Sequence, residues 1–174
     1  MEEVILVDKK DQVVGSMEKL EAHKKGVLHR AFSVFIFNSA GQLLLQKRAL
    51  KKYHSGGLWS NTCCSHPRPG EDTRDAAARR LQEEMGLTSR LKKAFSFQYK
   101  VKFENGLTEN EFDHVFVGLC EVDPNPDPRE VADWKFIDMD FVLRDSVNQP
   151  EQYTYWFRKS ISKVLDYLHR NPVK

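Results

Sequence analysis

The sequence predicts an α/β fold, in which helices cover both faces of a sheet of mixed and antiparallel strands. The apolar runs at 32–37 and 43–45 are nearly unbroken, which is typical of strands buried on both faces. The segment Thr73–Met85 contains no Pro or Gly and carries apolar residues at helical spacing. Helices interspersed with strands in this order favour a layered sandwich.

Two hairpins are predicted before this helix. The first pairs 4–7 with 13–14 around a polar turn, and the second pairs the two apolar runs around the turn at 38–41. A basic loop at 49–57 ends in glycine, and a short strand at 58–64 then leads through a proline-rich loop to the helix.

The second half of the chain predicts more strands and a final helix. Gly86 follows the first helix where a C-terminal cap belongs. A long antiparallel pair at 94–103 and 111–122 comes next, then a strand at 134–137 and a helix at about 152–169.

Length and composition limit the number of domains and the classes of partner. A chain of 174 residues forms about one domain, so we treat 1–174 as a single unit. Lys and Arg number 27 against 25 for Asp and Glu, and the charges are spread along the chain, which argues against a nucleic-acid partner. The sequence has no apolar run near the length of a membrane span.

Three cysteines cannot form a closed set of disulfides, so at least one thiol is expected to be free. Cys63 and Cys64 are neighbours whose side chains would leave a strand in opposite directions. The N-terminal acids Glu2 and Glu3 do not resemble the basic start of a secretion signal. We expect a cytoplasmic protein, either a monomer or a weak homodimer.

The helix and the loop before it resemble the Nudix box, G-x5-E-x7-R-E-U-x-E-E-x-G-U, in which U is aliphatic. Ser65 replaces the first glycine, and Arg80 replaces the glutamate after the arginine. The resemblance implies a Nudix-like α/β/α sandwich, but loss of one carboxylate argues against pyrophosphate hydrolysis. A solvated helix with i,i+4 ion pairs is the alternative. The matching residues are Glu71, Arg79, Leu81, Glu83, Glu84, Gly86 and Leu87.

A second set of motifs is more specific. The turn N-T-C-C-S-H-P at 61–67 and the triplet E-N-E at 109–111, with His23 and His29 upstream, resemble the type 1 isopentenyl-diphosphate isomerases. These are divergent Nudix-fold enzymes, and the likeness runs nearly from end to end. It implies interconversion of isopentenyl and dimethylallyl diphosphate through a tertiary carbocation.

That resemblance assigns Cys64 and Glu111 to an acid and base on opposite sides of the substrate. Which of them donates the first proton stays open. Tyr99 matches a tyrosine that bonds to the pair, and Trp156 matches a tryptophan that covers the pocket. Ordinary packing is the alternative for Cys64 and for Tyr99.

Glu109 and Glu111 point the same way on an extended segment, where they repel unless a cation lies between them. By resemblance they bind one divalent metal with His23, His29 and His66. Ligand softness favours Mn²⁺, Zn²⁺ or Fe²⁺ there over Mg²⁺, which remains a candidate. A second ion, best suited to Mg²⁺, is implied at the diphosphate and is held in part by Glu84. Alternatively, Glu109, Glu111 and Asp113 form the wet face of an edge strand.

Four cations match the family's diphosphate-contacting positions. Arg80 is the most informative, because the change that removes a carboxylate supplies a fork for phosphate oxygens. Lys47, Lys51 and His54 are interpreted as solvated loop charges. The four cations are Lys19, Arg48, Lys52 and Arg80, and no role is assigned to His114, His169, Cys63 or Cys120.

Two other functions remain as alternatives. A Nudix hydrolase of a diphosphate would use Glu71, Glu83 and Glu84 to bind Mg²⁺ and would use Cys64 only for packing. A zinc-stabilised interaction domain would use the three histidines named above with a cysteine.

Overall fold

Within residues 1–172, which the computed structural model describes, the chain forms nine strands and four α-helices. A short 3₁₀ turn at Pro150–Gln152 precedes the last helix. The strands are β1 Glu3–Val7, β2 Val13–Glu18, β3 His29–Phe37, β4 Leu43–Arg48, β5 Trp59–Ser60, β6 Cys63–Ser65, β7 Lys92–Lys102, β8 Thr108–Leu119 and β9 Val131–Ile137. The helices are α1 Lys19–Lys25, α2 Thr73–Met85, α3 Met139–Asn148 and α4 Tyr155–Arg170.

Strand β3 is the centre of the sheet. It runs parallel to β8 over its whole length, from His29 beside Glu111 to Phe37 beside Leu119. Its other edge pairs with β1, β6 and β4 in turn, and β7 extends the sheet beyond β8. The long antiparallel pair predicted from the sequence is confirmed as β7 and β8.

The second predicted hairpin is wrong beyond its turn. Strands β3 and β4 pair only through Phe37 and Leu43, because β6 occupies the edge of β3 from Phe32 to Val34. The rest of β4 pairs with β9 and β5 instead. The two strands therefore diverge from their shared turn.

Alternation along β3 explains the unbroken apolar run. Phe32, Val34 and Ile36 belong to the core under α2, while Phe35 and Phe37 belong to the core under α4. Every one of these side chains is buried. The predicted sandwich with helices on both faces is confirmed.

The helix α2 has the predicted limits because both ends are capped. Asp72 accepts hydrogen bonds from the N–H groups of Arg74 and Asp75, and Gly86 adopts a left-handed φ of 67°. Helices α1 and α3 were not predicted, and the predicted strand at 58–64 divides into β5 and β6. None of the helices in residues 1–172 is long and apolar enough to cross a membrane.

We predict that Leu81→Ala lowers the free energy of unfolding by about 2–5 kcal/mol, because it leaves a cavity between α2 and the sheet. Leu81 is fully buried in that core. Val147→Ala in α3, where Val147 is 76% exposed, is the matched control and should change stability by under about 0.5 kcal/mol. Chemical denaturation measures both. Equal stabilities of the two variants would contradict the assigned core.

Candidate active site and metal centre

One pocket brings together side chains that are far apart in the sequence. They come from α1, β4, β6, α2, β7, β8, α4 and the loop after β4. Phe32 and Tyr53 add apolar surface to its wall. Of the residues predicted for the site, the pocket is lined by Lys19, Arg48, Lys52, Cys64, His66, Arg80, Glu84, Tyr99, Glu109, Glu111 and Trp156.

The predicted metal ligands form one buried cluster. His23 and His29 do not line the pocket, but they meet the other ligands beneath it. One ligand atom from each member lies within 4.8 Å of the others. The members of this cluster are His23, His29, His66, Glu109 and Glu111.

Two of the imidazoles are oriented by the backbone. Nδ1–H of His23 donates to the carbonyl of Lys19 at 2.5 Å, and Nδ1–H of His29 donates to that of Val27 at 2.8 Å. The Nε2 lone pairs consequently face the carboxylates, with His23 Nε2 3.1 Å from Glu109 Oε2. Among residues 1–172, neither Nε2 atom has a hydrogen-bond partner, nor has Glu109 Oε2.

Acceptors that face one another need a proton or a cation between them, and five ligand atoms converging at one place fit a divalent metal. The electrostatics keep Glu109 negatively charged. Although burial raises the pKa of Glu109, the nearby His23 and His54 outweigh it and hold that pKa well below its ordinary value. Burial lowers the pKa of His23, but Glu109 more than compensates and raises it. Burial also lowers the pKa of His66 to about 4, which keeps its imidazole neutral.

The carboxylates of β8 are not on a wet edge. β8 lies between β3 and β7, and Glu109, Glu111 and Asp113 are all buried on one face. Burial raises the pKa of Asp113 well above its ordinary value, and Ser33 Oγ donates to it at 2.7 Å. The edge-strand interpretation is wrong because β8 is a central strand.

Both oxygens of Glu111 have partners. Tyr99 Oη donates to Oε2 at 2.5 Å, and His66 Nε2 lies 2.8 Å from Oε1. Burial, and then the charge of Glu111, raise the pKa of Tyr99 well above its ordinary value, so the phenol keeps the proton that it donates. Glu111 is thus joined to the metal cluster on one side and to a neutral phenol on the other.

Cys64 lines the same pocket as Glu111, while Cys63 packs into the core beneath α2. The two neighbouring side chains therefore point in opposite directions, as the sequence predicted. Burial raises the pKa of Cys64 to about 12, although Arg48 opposes this effect. The Arg48 guanidinium lies 3.9 Å from the sulfur through Nη1.

Trp156 lines the pocket from α4. It is 3% exposed, and its Nε1–H donates to Ser60 Oγ at 3.1 Å. The guanidinium of Arg48 lies 5.2 Å from its ring centre, and the ring of Tyr99 lies nearly parallel to it at 6.5 Å. The indole is held in one position by these contacts.

Three of the four cations already contact carboxylates, and Arg48 instead donates to the carbonyl of His54 at 3.3 Å. Lys19 pairs with Glu2 at 3.2 Å, and Glu130 pairs with Lys52 and lies 3.4 Å from Arg80.

Arg80 makes the predicted i,i+4 pair with Glu84 at 2.6 Å. The other oxygen of Glu84 accepts from Gln46 at 3.1 Å. Arg79 makes its i,i+4 pair with Glu83 at 3.3 Å and also binds Glu71 at 2.7 Å and 2.9 Å, on the partly exposed side of α2. The ion pairs of a solvated helix are present, yet Arg80 and Glu84 also face the pocket.

The interpretation of His54 as a solvated charge is wrong. Its side chain is buried, and Nε2 lies 2.5 Å from Glu109 Oε1. The loop turns back over the cluster through Gly56, where an added Cβ would lie 2.5 Å from the Leu50 carbonyl oxygen. The two glycines at 56–57 signal this return, but they do not indicate where the histidine points. Gln46 and Glu130 were also missed, and no motif marks them.

We predict that Mn²⁺ stabilises the chain, because the carboxylates and imidazole lone pairs otherwise face one another. At about 100 times its Kd, the ion should raise the free energy of unfolding by about 2.7 kcal/mol. Thermal melts with chelator and with Mn²⁺ measure this. The double variant Glu109→Gln, Glu111→Gln should lose the response, while Glu104→Gln, on the exposed turn of the same hairpin, should keep it. A double variant stabilised like the parent would contradict the assigned ligands.

The comparisons with known proteins agree with this architecture. The NUDIX domain family matches residues 27–157. A crystal structure from Deinococcus radiodurans superposes with a TM-score of 0.78 at 18% identity, covering 93% of this chain and 98% of that one. The MutT protein of Methanosarcina mazei gives 0.68 at 18% identity, with coverage of 83% and 96%. These likenesses confirm the predicted Nudix-like α/β/α fold.

Closer relatives are known by sequence. The chain is 53% identical to isopentenyl-diphosphate Delta-isomerase 2 of Aromatoleum aromaticum, over 94% of this chain and 87% of that protein. It is 52% identical to isopentenyl-diphosphate Delta-isomerase of Pectobacterium atrosepticum, over 95% of this chain and 92% of that one. The chain therefore belongs to the isopentenyl-diphosphate Delta-isomerases, within the NUDIX domain family.

Proposed function

We propose that this chain interconverts isopentenyl diphosphate and dimethylallyl diphosphate, a double-bond transposition of isoprenoid biosynthesis. One observation carries the proposal: Cys64 and Glu111 line a single pocket, which Trp156 also lines. The relatives that share about half of the sequence bear the name of this activity.

The chemistry moves two protons. A proton adds to the terminal methylene carbon of the alkene, which leaves a tertiary cation at the branched carbon. Loss of a proton from the neighbouring carbon on the other side then gives the allylic isomer. Cys64 and Glu111 are the proposed acid and base, and general acid–base catalysis contributes about 10²–10⁴-fold to the rate.

His23, His29, His66, Glu109 and Glu111 would hold a divalent metal, Mn²⁺, Zn²⁺ or Mg²⁺. When bound, the ion supplies a fixed positive charge that orients Glu111 and lowers its affinity for protons. Tyr99 holds the other oxygen of Glu111, so the carboxyl group keeps one position beside the alkene. Glu84 would contact a second ion, Mg²⁺, which travels with the diphosphate.

The pocket must exclude water, because water would capture the carbocation. Trp156 covers the pocket and offers a π-face to the developing charge. A desolvated cation–π contact contributes about 2 kcal/mol or more, against the ~8–23 kcal/mol by which enzymes typically lower a barrier. The indole therefore assists the acid and base and cannot replace them.

Lys19, Arg48, Lys52 and Arg80 would bind the diphosphate and leave it intact. The hydrolase alternative needs Glu71, Glu83 and Glu84 to bind Mg²⁺. Arg79 and Arg80 neutralise those carboxylates, which supports isomerisation over cleavage. The zinc-stabilised interaction domain has less support still, because carboxylates and not a cysteine complete the histidine cluster.

We further propose that residues 1–174 act as one isomerase domain in the cytoplasm, where a reducing environment preserves the Cys64 thiol. The substrate is a small-molecule diphosphate, and no nucleic acid is required. A monomer suffices for this reaction, because the proposed acid, base and cations all come from one chain. A weak homodimer remains compatible with the proposal.

We expect Cys64→Ala and Glu111→Gln each to reduce turnover of isopentenyl diphosphate by several orders of magnitude while the fold is retained. The assay in D₂O follows deuterium entering the allylic product, with Cys120→Ala and Glu104→Gln as matched controls that stay active. Near-normal turnover in either variant would remove that residue from the acid–base pair. Release of phosphate by the parent enzyme would favour the hydrolase.

We also expect Arg80→Gln to raise KM for isopentenyl diphosphate more than it lowers kcat, because the fork for phosphate oxygens is lost. Arg74→Gln, at an exposed position of the same helix, is the control and should change neither constant. Steady-state kinetics separate the two effects. An unchanged KM in Arg80→Gln would rule out a role for this guanidinium in diphosphate binding.

A further inference from the structure

We propose that His54 is a positioning residue of the metal centre, which holds the ligand Glu109 from outside the cluster. The proposal rests on the proposed metal-binding function of that cluster. It assigns a role to a histidine that no motif of the sequence singled out.

The two oxygens of Glu109 face different partners. Oε2 lies 3.1 Å from Nε2 of His23 and 3.9 Å from Nε2 of His29, on the side of the metal cluster. Oε1 lies 2.5 Å from Nε2 of His54. His54 thus contacts the oxygen that is not the one nearest His23 and His29.

The protonation of the ring suits this contact. Nδ1 of His54 lies 3.3 Å from the hydroxyl of Ser55, which can donate to it. The ring proton then resides on Nε2, whose short contact with Glu109 Oε1 is an imidazole–carboxylate contact and not an aligned hydrogen bond. Outer groups of this kind orient a ligating carboxylate, and their loss typically weakens metal binding about 10–100-fold.

The imidazole itself has little freedom to move. Its ring stacks on Phe103 at 4.6 Å with an interplanar angle of 10°, and the rings of Tyr53 and Trp156 meet it edge to face. Asn105 Nδ2 donates to the carbonyl of Tyr53 at 2.8 Å. Phe103 and Asn105 lie in the turn between β7 and β8, so the loop with His54 is tied to the hairpin that carries Glu109.

This connection joins two parts of the site. The loop that carries His54 begins at Arg48 and includes Lys52, two of the proposed diphosphate-binding cations. The contact with Glu109 therefore ties the loop that carries those cations to a residue that would hold the metal. His54 is not a member of the five-residue cluster, and we therefore assign it as a support for the ligand Glu109.

The test measures metal affinity without substrate. The full-length chain is stripped with a chelator and titrated with Mn²⁺ against a competing chelator. We expect His54→Ala to weaken Mn²⁺ binding about 10–100-fold. We expect His54→Gln to keep most of the affinity, because its amide N–H can still reach Glu109. His114→Ala is the matched control, since His114 is also buried and contacts a carboxylate, Asp11, at 2.8 Å, and it should bind Mn²⁺ like the parent.

Three results would overturn the proposal: unchanged affinity in His54→Ala, an equal loss in the Ala and Gln variants, or complete loss of binding, which would make His54 a ligand. Circular dichroism of each metal-free variant checks the fold. Saturating Mn²⁺ should restore most of the turnover of His54→Ala. The affinity shift is measured independently of isomerase activity, so a parent enzyme that failed to isomerise the substrate would refute the proposed function and leave this inference standing.

Discussion

The site depends on one electrostatic constraint: two carboxylates, Glu109 and Glu111, are buried side by side on a central strand. Two unpaired carboxylates in such a place are costly, so the surrounding structure must supply positive charge or proton donors. His23 and His29 provide lone pairs for a cation, and Tyr99 and His54 each face the remaining oxygen of one carboxylate. The geometry of the pocket follows from satisfying this demand.

The same constraint links the metal centre to the chemistry. Glu111 belongs to the cluster and is also the proposed acid or base, so any change in the cluster alters the carboxyl group beside the alkene. On the Cys64 side of the pocket, the guanidinium of Arg48 lies near both the Cys64 sulfur and the ring of Trp156. Arg48 therefore links the proposed diphosphate site to Cys64 and Trp156. In the proposed function, binding and proton transfer therefore share residues.

Much of the fold was predictable because local signals agree with tertiary structure. The Asp72 and Gly86 caps mark both ends of α2, and the apolar run of β3 indicates burial on two faces. The pairing of β3 with β6 and β8 was not predictable from pattern, because strand partners distant in sequence leave no local trace. The seven-residue α1 was missed since so short a helix depends on its contacts for stability.

The residues of the candidate site also fall into a group that the sequence predicted and a group that it did not. Residues within motifs, such as Cys64 and Glu111, were identified through resemblance to a family, and the structure brings them to one pocket. His54 lies in an irregular loop, where side-chain direction depends on backbone torsions such as the φ of 52° at Ser55. Sequence periodicity carries no information about such torsions.

The parallel pairing of β3 with β8 also affects which strand register is favoured during folding. It sets His29 directly beside Glu111, so the correct alignment of the two strands is the one in which imidazole meets carboxylate. A shift by one residue would turn the acidic side chains of β8 to the opposite face, among the apolar groups beneath α2. Misaligned sheets thus carry a heavy electrostatic penalty, and the buried acids of the proposed site themselves help select the native topology.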